Sequence, residues 1–503
     1  MKTFLLSLIL MISCILHGQV NFTKMTNIAP VHKTGDWRSV NWIDYNNDGW
    51  LDLFMTQGPK AGAPNAMFIN DKTGGFTTLT NDAIVTDSDP SVGASFSDID
   101  NDGDLDAMVV NWYGKNNLFY LNNGDGTFNK ISDAPMTKDG GYSETAAWGD
   151  YDNDGYVDLY VSNSDGNKKN FLYHNDKNGM FTKISTGSVV SDAFYSRSVN
   201  WIDYDMDGDE DLFVTNENGQ HENLYRNDGS GVFTKATGNA LVTAGGNTMS
   251  SSWGDYDNDG DFDVFLANFQ GPNMLFRNDG NGMFTKINSA AFTGVANSFG
   301  SQWGDLDNDG DLDLIATNAF HGGALNNFVY LNDGSGDFIK SETGPIVEDA
   351  GWSYGCALGD YDKDGDLDAA IAGCFNGVDQ NRFYRNDTNG KNWVEIQLTG
   401  TVSNTSAIGS IVKVKSTING KRVWQIRDIS SQSGYCGQNQ LSAHFGLGDA
   451  IMIDSVVIMW KSGLKEAFAG VSPNVFYHIT EGEQMLSDSR EETLSSVVSS
   501  FSV

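Results

Sequence analysis

Basic residues are scarce in this sequence. Over 503 residues, 31 Lys and Arg stand against 66 Asp and Glu, for a formal net charge of −35. A surface of that sign repels nucleic acid, so no nucleic-acid partner is expected. The seven histidines are dispersed. No His-Glu-x-x-His or Gly-x-x-x-x-Gly-Lys-Ser/Thr string occurs, which removes the zinc-protease and P-loop signatures. Long apolar runs are missing except at the start, where Lys2 precedes a mostly apolar stretch from Phe4 to Leu16 and then His17-Gly18-Gln19. That stretch is too short to span a bilayer. Its charged, apolar, small order predicts a cleaved signal peptide over residues 1–18 and a secreted or cell-surface protein. The alternative is a lipoprotein signal acylated at Cys14, although Met11-Ile12-Ser13-Cys14 lacks the usual leucine three residues before the cysteine. No transmembrane segment is expected elsewhere.

What the sequence has in abundance is one motif. Asp-x-Asp/Asn-x-Asp-Gly-x-x-Asp begins at Asp44, Asp98, Asp150, Asp203, Asp255, Asp305 and Asp360, at steps of 50 to 55 residues. A fixed period of that size means stacked copies of one supersecondary unit. Half of all the acidic residues lie inside these seven loops. Each cluster would repel itself without counter-ions, and seven divalent cations would bring the net charge to about −21.

Each unit carries four short β-type runs. One precedes the acidic loop (Ser39 to Ile43), and one follows it (Leu53 to Thr56). A third starts near an Asn (Asn117 to Leu121), and the fourth resembles Phe181-Thr182-Lys183. Four strands in each of seven repeats predict an all-β fold, a seven-bladed β-propeller over residues 19–388. The seventh unit lacks its Phe-Thr-Lys strand, and Phe22-Thr23-Lys24 supplies one at the other end of the chain. The N-terminal strand is therefore expected to close the ring without an exposed edge. Trp42, Phe96, Trp148, Trp201, Trp253, Trp303 and Leu358 each stand two residues before a loop and read as packing between blades.

The loop itself has the chemistry of a calcium site. Calcium takes six to eight oxygens, and carboxylates at positions 1, 3 and 5 converge if glycine at position 6 turns the chain. Position 1 is the Asp series above. Position 3 is Asn46, Asp100, Asp152, Asp205, Asp257, Asp307 and Asp362, and position 5 is Asp48, Asp102, Asp154, Asp207, Asp259, Asp309 and Asp364. Position 9 closes the site with Asp52, Asp106, Asp158, Asp211, Asp263, Asp313 and Asp368. Up to seven Ca2+ ions are expected. The loop holding Asn46 has one charge fewer and should be the weakest.

Three cysteines remain beyond the leader. Cys356 and Cys374 flank the seventh loop symmetrically, so a disulfide across the hairpin is geometrically possible. The alternative is two small buried residues in one blade. Cys436 has no evident partner.

The loops resemble the FG-GAP (VCBS) repeats of integrin α-subunits. That resemblance implies a seven-bladed propeller with calcium between the first two strands of each blade. Past residue 389 the period breaks, and alternating runs such as Trp393 to Leu398 and Ile411 to Lys415 predict a small β domain over 389–482. Ser433-Gly434-Tyr435, Gln438-Asn439, His444 to Gly448 and Trp460 to Gly463 resemble the ASPIC/UnbV domain of the cartilage acidic protein family. That family's usual Leu after the Tyr is Cys436 here. The Ser-rich residues 483–503 read as a disordered tail.

Two functions fit these elements. One is a calcium-stabilised extracellular scaffold for recognition or adhesion, with a protein or glycan ligand. The other is a carbohydrate-active enzyme such as a polysaccharide lyase. In either case the rim opposite the loops is where unlike residues gather. It carries Trp37, Arg38, Trp112, Tyr113, Lys115, Tyr142, Glu144, Tyr195, Arg197, His221, Phe269, His321 and Trp352. Arg197, Trp352, Tyr195 and Trp37 are the candidate ligand-binding residues. A lyase would pair His221 or His321 with Arg197. Gly351-Trp352-Ser353-Tyr354-Gly355 matches Gly-x-Ser-x-Gly, but a nucleophile elbow needs a following helix, and a strand is expected there.

Overall fold

The computed structural model describes residues 20–177, 179–320, 326–375, 380–388, 390–487 and 493–494. Seven four-stranded antiparallel blades follow one another along the chain, each an acidic-loop hairpin with two further strands outside it; blades 5 and 6 are joined where Phe269 pairs with Asn297. Blade 3 is typical: Ser143–Gly149 is innermost, then Asp158–Asn163, Phe171–Asn175 and Phe181–Ile184. Blade 7 takes its outer strand from the N-terminus. Phe22 pairs with Asn386 and Lys24 with Tyr384, antiparallel, which closes the ring. Every inner strand carries a register shift near its start, as between Ser143 and Ala146 or Ser353 and Cys356. A bulge at each of these places sharpens the local twist at the end away from the acidic loops.

The tryptophans before the loops join neighbouring blades. The indole N–H of Trp42 donates to the Ala357 carbonyl, that of Trp148 to Ser95, that of Trp201 to Ala147 and that of Trp303 to Ser252. A polar N–H buried among apolar neighbours needs such a partner. The following glycine leaves room for the next blade's ring: a Cβ on Gly149 would run into Trp201.

The C-terminal region is two stacked sheets. One is ordered Ala443–Gly448, Asn392–Thr399, Phe476–Thr480, Met485–Ser487 and Thr493–Leu494. The other is ordered Lys421–Asp428, Ile411–Ile418, Ile453–Met459 and Lys465–Val471. At the start of the tail expected over 483–503, Met485–Ser487 is a strand with Met485 buried, and of residues 488–503 all but 493–494 lie outside the described residues. The expected signal peptide lies outside the described residues.

Residues 429–442, between two of these strands, enter the channel of the ring. Gly437–Gln438 pairs in parallel with the inner strand of blade 1, at Val40 and Asn41. Gln438 exchanges two hydrogen bonds with Phe96 of blade 2, and Ser431 does the same with Trp148 of blade 3. Asn200 of blade 4 donates to the Gln432 carbonyl. Tyr435 N–H donates to Ser250 of blade 5, and Leu358 N–H of blade 7 donates to Asn439. At blade 6 the backbone of Gly434 lies against the Ser301 carbonyl so closely that any Cβ would collide. The channel is therefore filled by a hairpin of the C-terminal domain.

The cysteines do not form the expected bond. Among the described residues Cys356, Cys374 and Cys436 are all buried and none is in a disulfide. The bulge places Cys356 opposite Ile371 and pairs Ser353 with Gly373, so Cys374 falls beyond the paired stretch. The two thiols face different apolar clusters.

If the plug is seated as described, Gly434→Val should lose on the order of 1–3 kcal/mol through overpacking. A thermal melt reads this as a lowered midpoint with unchanged β-sheet circular dichroism. A midpoint equal to wild type would place residue 434 outside the channel.

Candidate functional site

Each acidic loop is pre-shaped by its own backbone. The position 1 carboxylate accepts the N–H groups of positions 5 and 6. In loop 5 these run from Asp259 and Gly260 to Asp255, at 3.0 and 3.1 Å. The same pair recurs in the other six loops. Position 4 takes the left-handed conformation in every loop, with φ between 53° and 61° from Asn47 to Lys363. Asn tolerates this better than most residues. At Asn47, Asn101, Asn258 and Asn308 its amide reaches the position 6 carbonyl of the next blade's loop.

A second asparagine, outside the motif, joins each loop to its neighbour. At the end of each third strand stand Asn70, Asn122, Asn175, Asn227, Asn278, Asn332 and Asn386. The backbone N–H of each donates to its own blade's position 9 carboxylate at 2.7–2.8 Å. The side-chain amide of each donates to the position 2 carbonyl of the preceding blade's loop, as from Asn278 to Tyr204 at 2.7 Å. The signal was in the sequence, since this Asn recurs in all seven repeats.

The carboxylates converge without cancelling their charge. Acceptor atoms of Asp98, Asp100 and Asp106 lie within 4.8 Å of one another. So do those of Asp150, Asp152 and Asp158, of Asp203, Asp205 and Asp211, of Asp255, Asp257 and Asp259, and of Asp305, Asp307 and Asp313. Buried oxygens of Asp100, Asp152, Asp205, Asp257 and Asp362 at position 3, and of Asp52 and Asp158 at position 9, have no hydrogen-bond partner. An unpaired buried carboxylate oxygen is costly, so the arrangement fits a cation among these groups. Burial drives the position 9 acids upward: Asp52 and Asp158 to about 8, and Asp106, Asp211 and Asp263 to about 9. Burial also raises Asp98 and Asp203 to about 6, and Asp150 and Asp255 to about 7. Loop 1 differs, as its Asn46 amide oxygen accepts from Asp48 N–H, whereas its Lys72–Asp48 pair at 3.3 Å is matched by Lys177 and Asp154 in loop 3.

The C-terminal domain covers this rim. Ser406 accepts from Asp98 N–H, Lys461 donates to the Gly208 carbonyl, and Lys391 pairs with Asp307 at 3.0 Å. His444 Nε2 lies 2.9 Å from the Gly365 carbonyl, which can only accept, so Nε2 carries the proton. Burial lowers this imidazole to about 4 and keeps it neutral. His444 is thus a strut against loop 7.

At the opposite mouth the four candidate ligand residues separate. Trp37 is fully buried in an apolar cluster, which corrects its expected surface role. Arg197 is held by Glu144 at 2.6 Å and Glu217 at 2.8 Å, and its Nη1 also donates to the Tyr435 hydroxyl. Tyr195 lies beneath the Lys168 ammonium. Trp352 packs at a tilt against Phe320 of the neighbouring blade, with ring centroids 5.0 Å apart. Phe320 adjoins Phe375, whose ring covers the Arg38 guanidinium at 3.2 Å. Tyr113, Phe320 and Phe375 all have positive φ, a strained setting for large aromatics. His321 lies outside the described residues. Ser353 is fully buried in a strand, not at a strand-to-helix turn.

The fold and loops define a seven-bladed propeller with an acidic turn in each blade. The FG-GAP-like repeat family matches at residues 44–109, 98–161, 150–214, 203–266, 255–316 and 319–371, and this chain belongs to that family. The ASPIC and UnbV family matches residues 400–485. A comparison with curated proteins returns no match. Among solved structures, an Agrocybe aegerita lectin recognising non-reducing terminal N-acetylglucosamine is 19% identical over 63% of this chain and 81% of its own, with a TM-score of 0.45. The BP39L lectin from Burkholderia pseudomallei is 11% identical over 67% and 92%, also at 0.45. YCF48 bound to D1 peptide is 10% identical over 72% and 94%, at 0.45.

Two outcomes follow for this rim. Folded metal-free protein holds protons that the unfolded chain releases between about pH 4 and pH 9, so its stability falls as pH rises through that window. Chelator-treated protein should melt lower at about pH 8 than at about pH 5, and a divalent cation should close the gap. Equal melts at both pH values would show that these acids are not desolvated. Asn278→Ala leaves the Tyr204 and Phe262 carbonyls without their donor. It should cost about 1–3 kcal/mol in a denaturant titration.

Proposed function

We propose that this chain is a secreted, calcium-dependent binding scaffold. The acidic loops hold Ca2+ through positions 1, 3, 5 and 9, and the mouth opposite them receives an extracellular protein or glycan. The observation that carries the metal assignment is the recurring unpartnered, buried carboxylate oxygen. Hard all-oxygen sets of this kind suit calcium. Export rests on the leader-like residues 1–18. Among the described residues no helix is long and apolar enough to cross a membrane. The propeller over 19–388 would be the rigid body and the domain over 389–482 its cap and plug.

Calcium here would act on stability. A site with Kd of 10⁻⁴–10⁻³ M gains about 0.4–1.4 kcal/mol in millimolar calcium. Summed over the ring, that is comparable with the net stability of a whole domain. The ligand surface would be the aromatic groups of the mouth, where specificity comes from residues that differ between blades. The lyase alternative needs Arg197 to neutralise a substrate charge, and its two carboxylate partners already occupy it.

Asp255→Ala should remove one calcium per chain by elemental analysis and lower the melting midpoint. Asp44→Ala should cost less, because Asn46 makes loop 1 poorer in charge. Equal losses would show that loop charge does not set the ranking. For the mouth, Tyr113 and Phe375 are 37% and 40% exposed, so they can be changed without opening the core. Tyr113→Ala with Phe375→Ala should abolish binding on a glycan or peptide array while calcium content stays unchanged and the protein remains folded. Arg197→Ala should instead destabilise the fold, since it strands the buried Glu144. Normal binding by the double variant would move the ligand surface elsewhere.

A further inference from the structure

Loop 3 differs from the others in one side chain that lies outside the motif. One register position, the residue just before the asparagine that ends each third strand, varies between blades. In chain order it is Ile69, Leu121, His174, Arg226, Arg277, Leu331 and Arg385. Aliphatic side chains and guanidinium groups do not ligate cations. Only His174 brings a donor atom with a usable lone pair.

The imidazole lies against two of the three converging carboxylates. Nε2 is 3.4 Å from Asp152 Oδ2, and Nδ1 is 3.3 Å from Asp158 Oδ1. Both separations exceed the usual N–H···O range of 2.7–3.2 Å, and Nδ1 makes no hydrogen bond of acceptable geometry although it is buried. An imidazole gives one ion only one of its nitrogens, and the Nε2–Oδ2 separation equals the edge between adjacent ligands on one metal ion, about 3.0–3.4 Å for bonds of about 2.1–2.4 Å at right angles, while Nδ1 faces Asp158. Asp158 is 1% exposed, and its Oδ2 points into the same space without a partner, as does Asp152 Oδ1.

We propose that loop 3 is a mixed nitrogen–oxygen centre, built by Asp150, Asp152, Asp158 and His174, that selects a divalent first-row transition ion of the manganese-to-zinc class. Imidazole suits such ions, whereas calcium takes oxygen donors. The ring binds as neutral imidazole, and any proton it carried passes to solvent as the ion enters. The remaining loops have no nitrogen donor at this place and keep their oxygen sets. This goes beyond the calcium reading of the other loops.

The test uses the full chain, stripped by chelator and refilled in excess millimolar calcium, then titrated with Co2+. Visible ligand-field absorption and elemental analysis are the readouts. One Co2+ per chain should be retained against calcium, with a nitrogen-ligand absorption band. His174→Leu installs the residue that blades 2 and 6 carry at the equivalent position. It should weaken cobalt binding about tenfold or more and lose the band, with the melting midpoint in calcium unchanged. His174→Arg, the side chain of blades 4, 5 and 7, should abolish it. Cobalt held equally by wild type and His174→Leu, or not held by wild type, overturns the proposal. If calcium fills loops while cobalt fails, only this inference falls; if no loop takes calcium, the calcium reading falls by itself.

Discussion

A carboxylate removed from water must be given a partner, and this ring is organised around that requirement. The position 9 aspartates sit almost wholly inside the protein. One oxygen of each is met by the N–H of an asparagine on the third strand. The amide of that asparagine then binds the neighbouring loop. Because each solution to one burial problem extends into the next blade, the loops form a circuit and not seven separate turns. The indole-to-carbonyl bonds on the inner strands tie the same blades nearer the channel. Disturbing one loop is therefore felt by the blades on both sides.

The electrostatics give the circuit its sensitivity. Left alone, the position 9 acids are pushed upward by desolvation and hold protons at neutral pH, which lowers the charge of each cluster but leaves oxygens without partners. A cation removes both costs at once. The scaffold is thus poised between two ways of neutralising the same groups, and the surrounding solution decides between them.

Much of this was legible in the residues. The loops, the four strands per blade and the N-terminal strand that closes the ring all follow from repetition and from Phe22-Thr23-Lys24. Local pattern could not give the path of residues 429–442. Ser433-Gly434-Tyr435 carries no periodicity that says it enters a channel, and its small residues make sense only once Ser301 is seen beside Gly434. Trp37 was placed on the rim because the sequence does not show the bulge that turns it inward. The same bulge separates Cys356 from Cys374, which equal spacing about Gly365 had suggested might meet. His174 was passed over because it lies outside the motif and meets the loop only through the hairpin fold.

The channel-filling hairpin also bears on how the chain comes to be made. Asn21 contacts Thr388 across 367 positions of sequence, and the hairpin follows later still. A nascent ring has neither its seam nor its centre until nearly the whole polypeptide has emerged. Contacts of such long sequence separation fold slowly, because loop closure must precede any reward. Early blades must wait with open edges and an uncovered, serine-lined bore. A segment translated only after all seven blades fills the hole that they surround, so the ring cannot acquire its centre before its wall has been made.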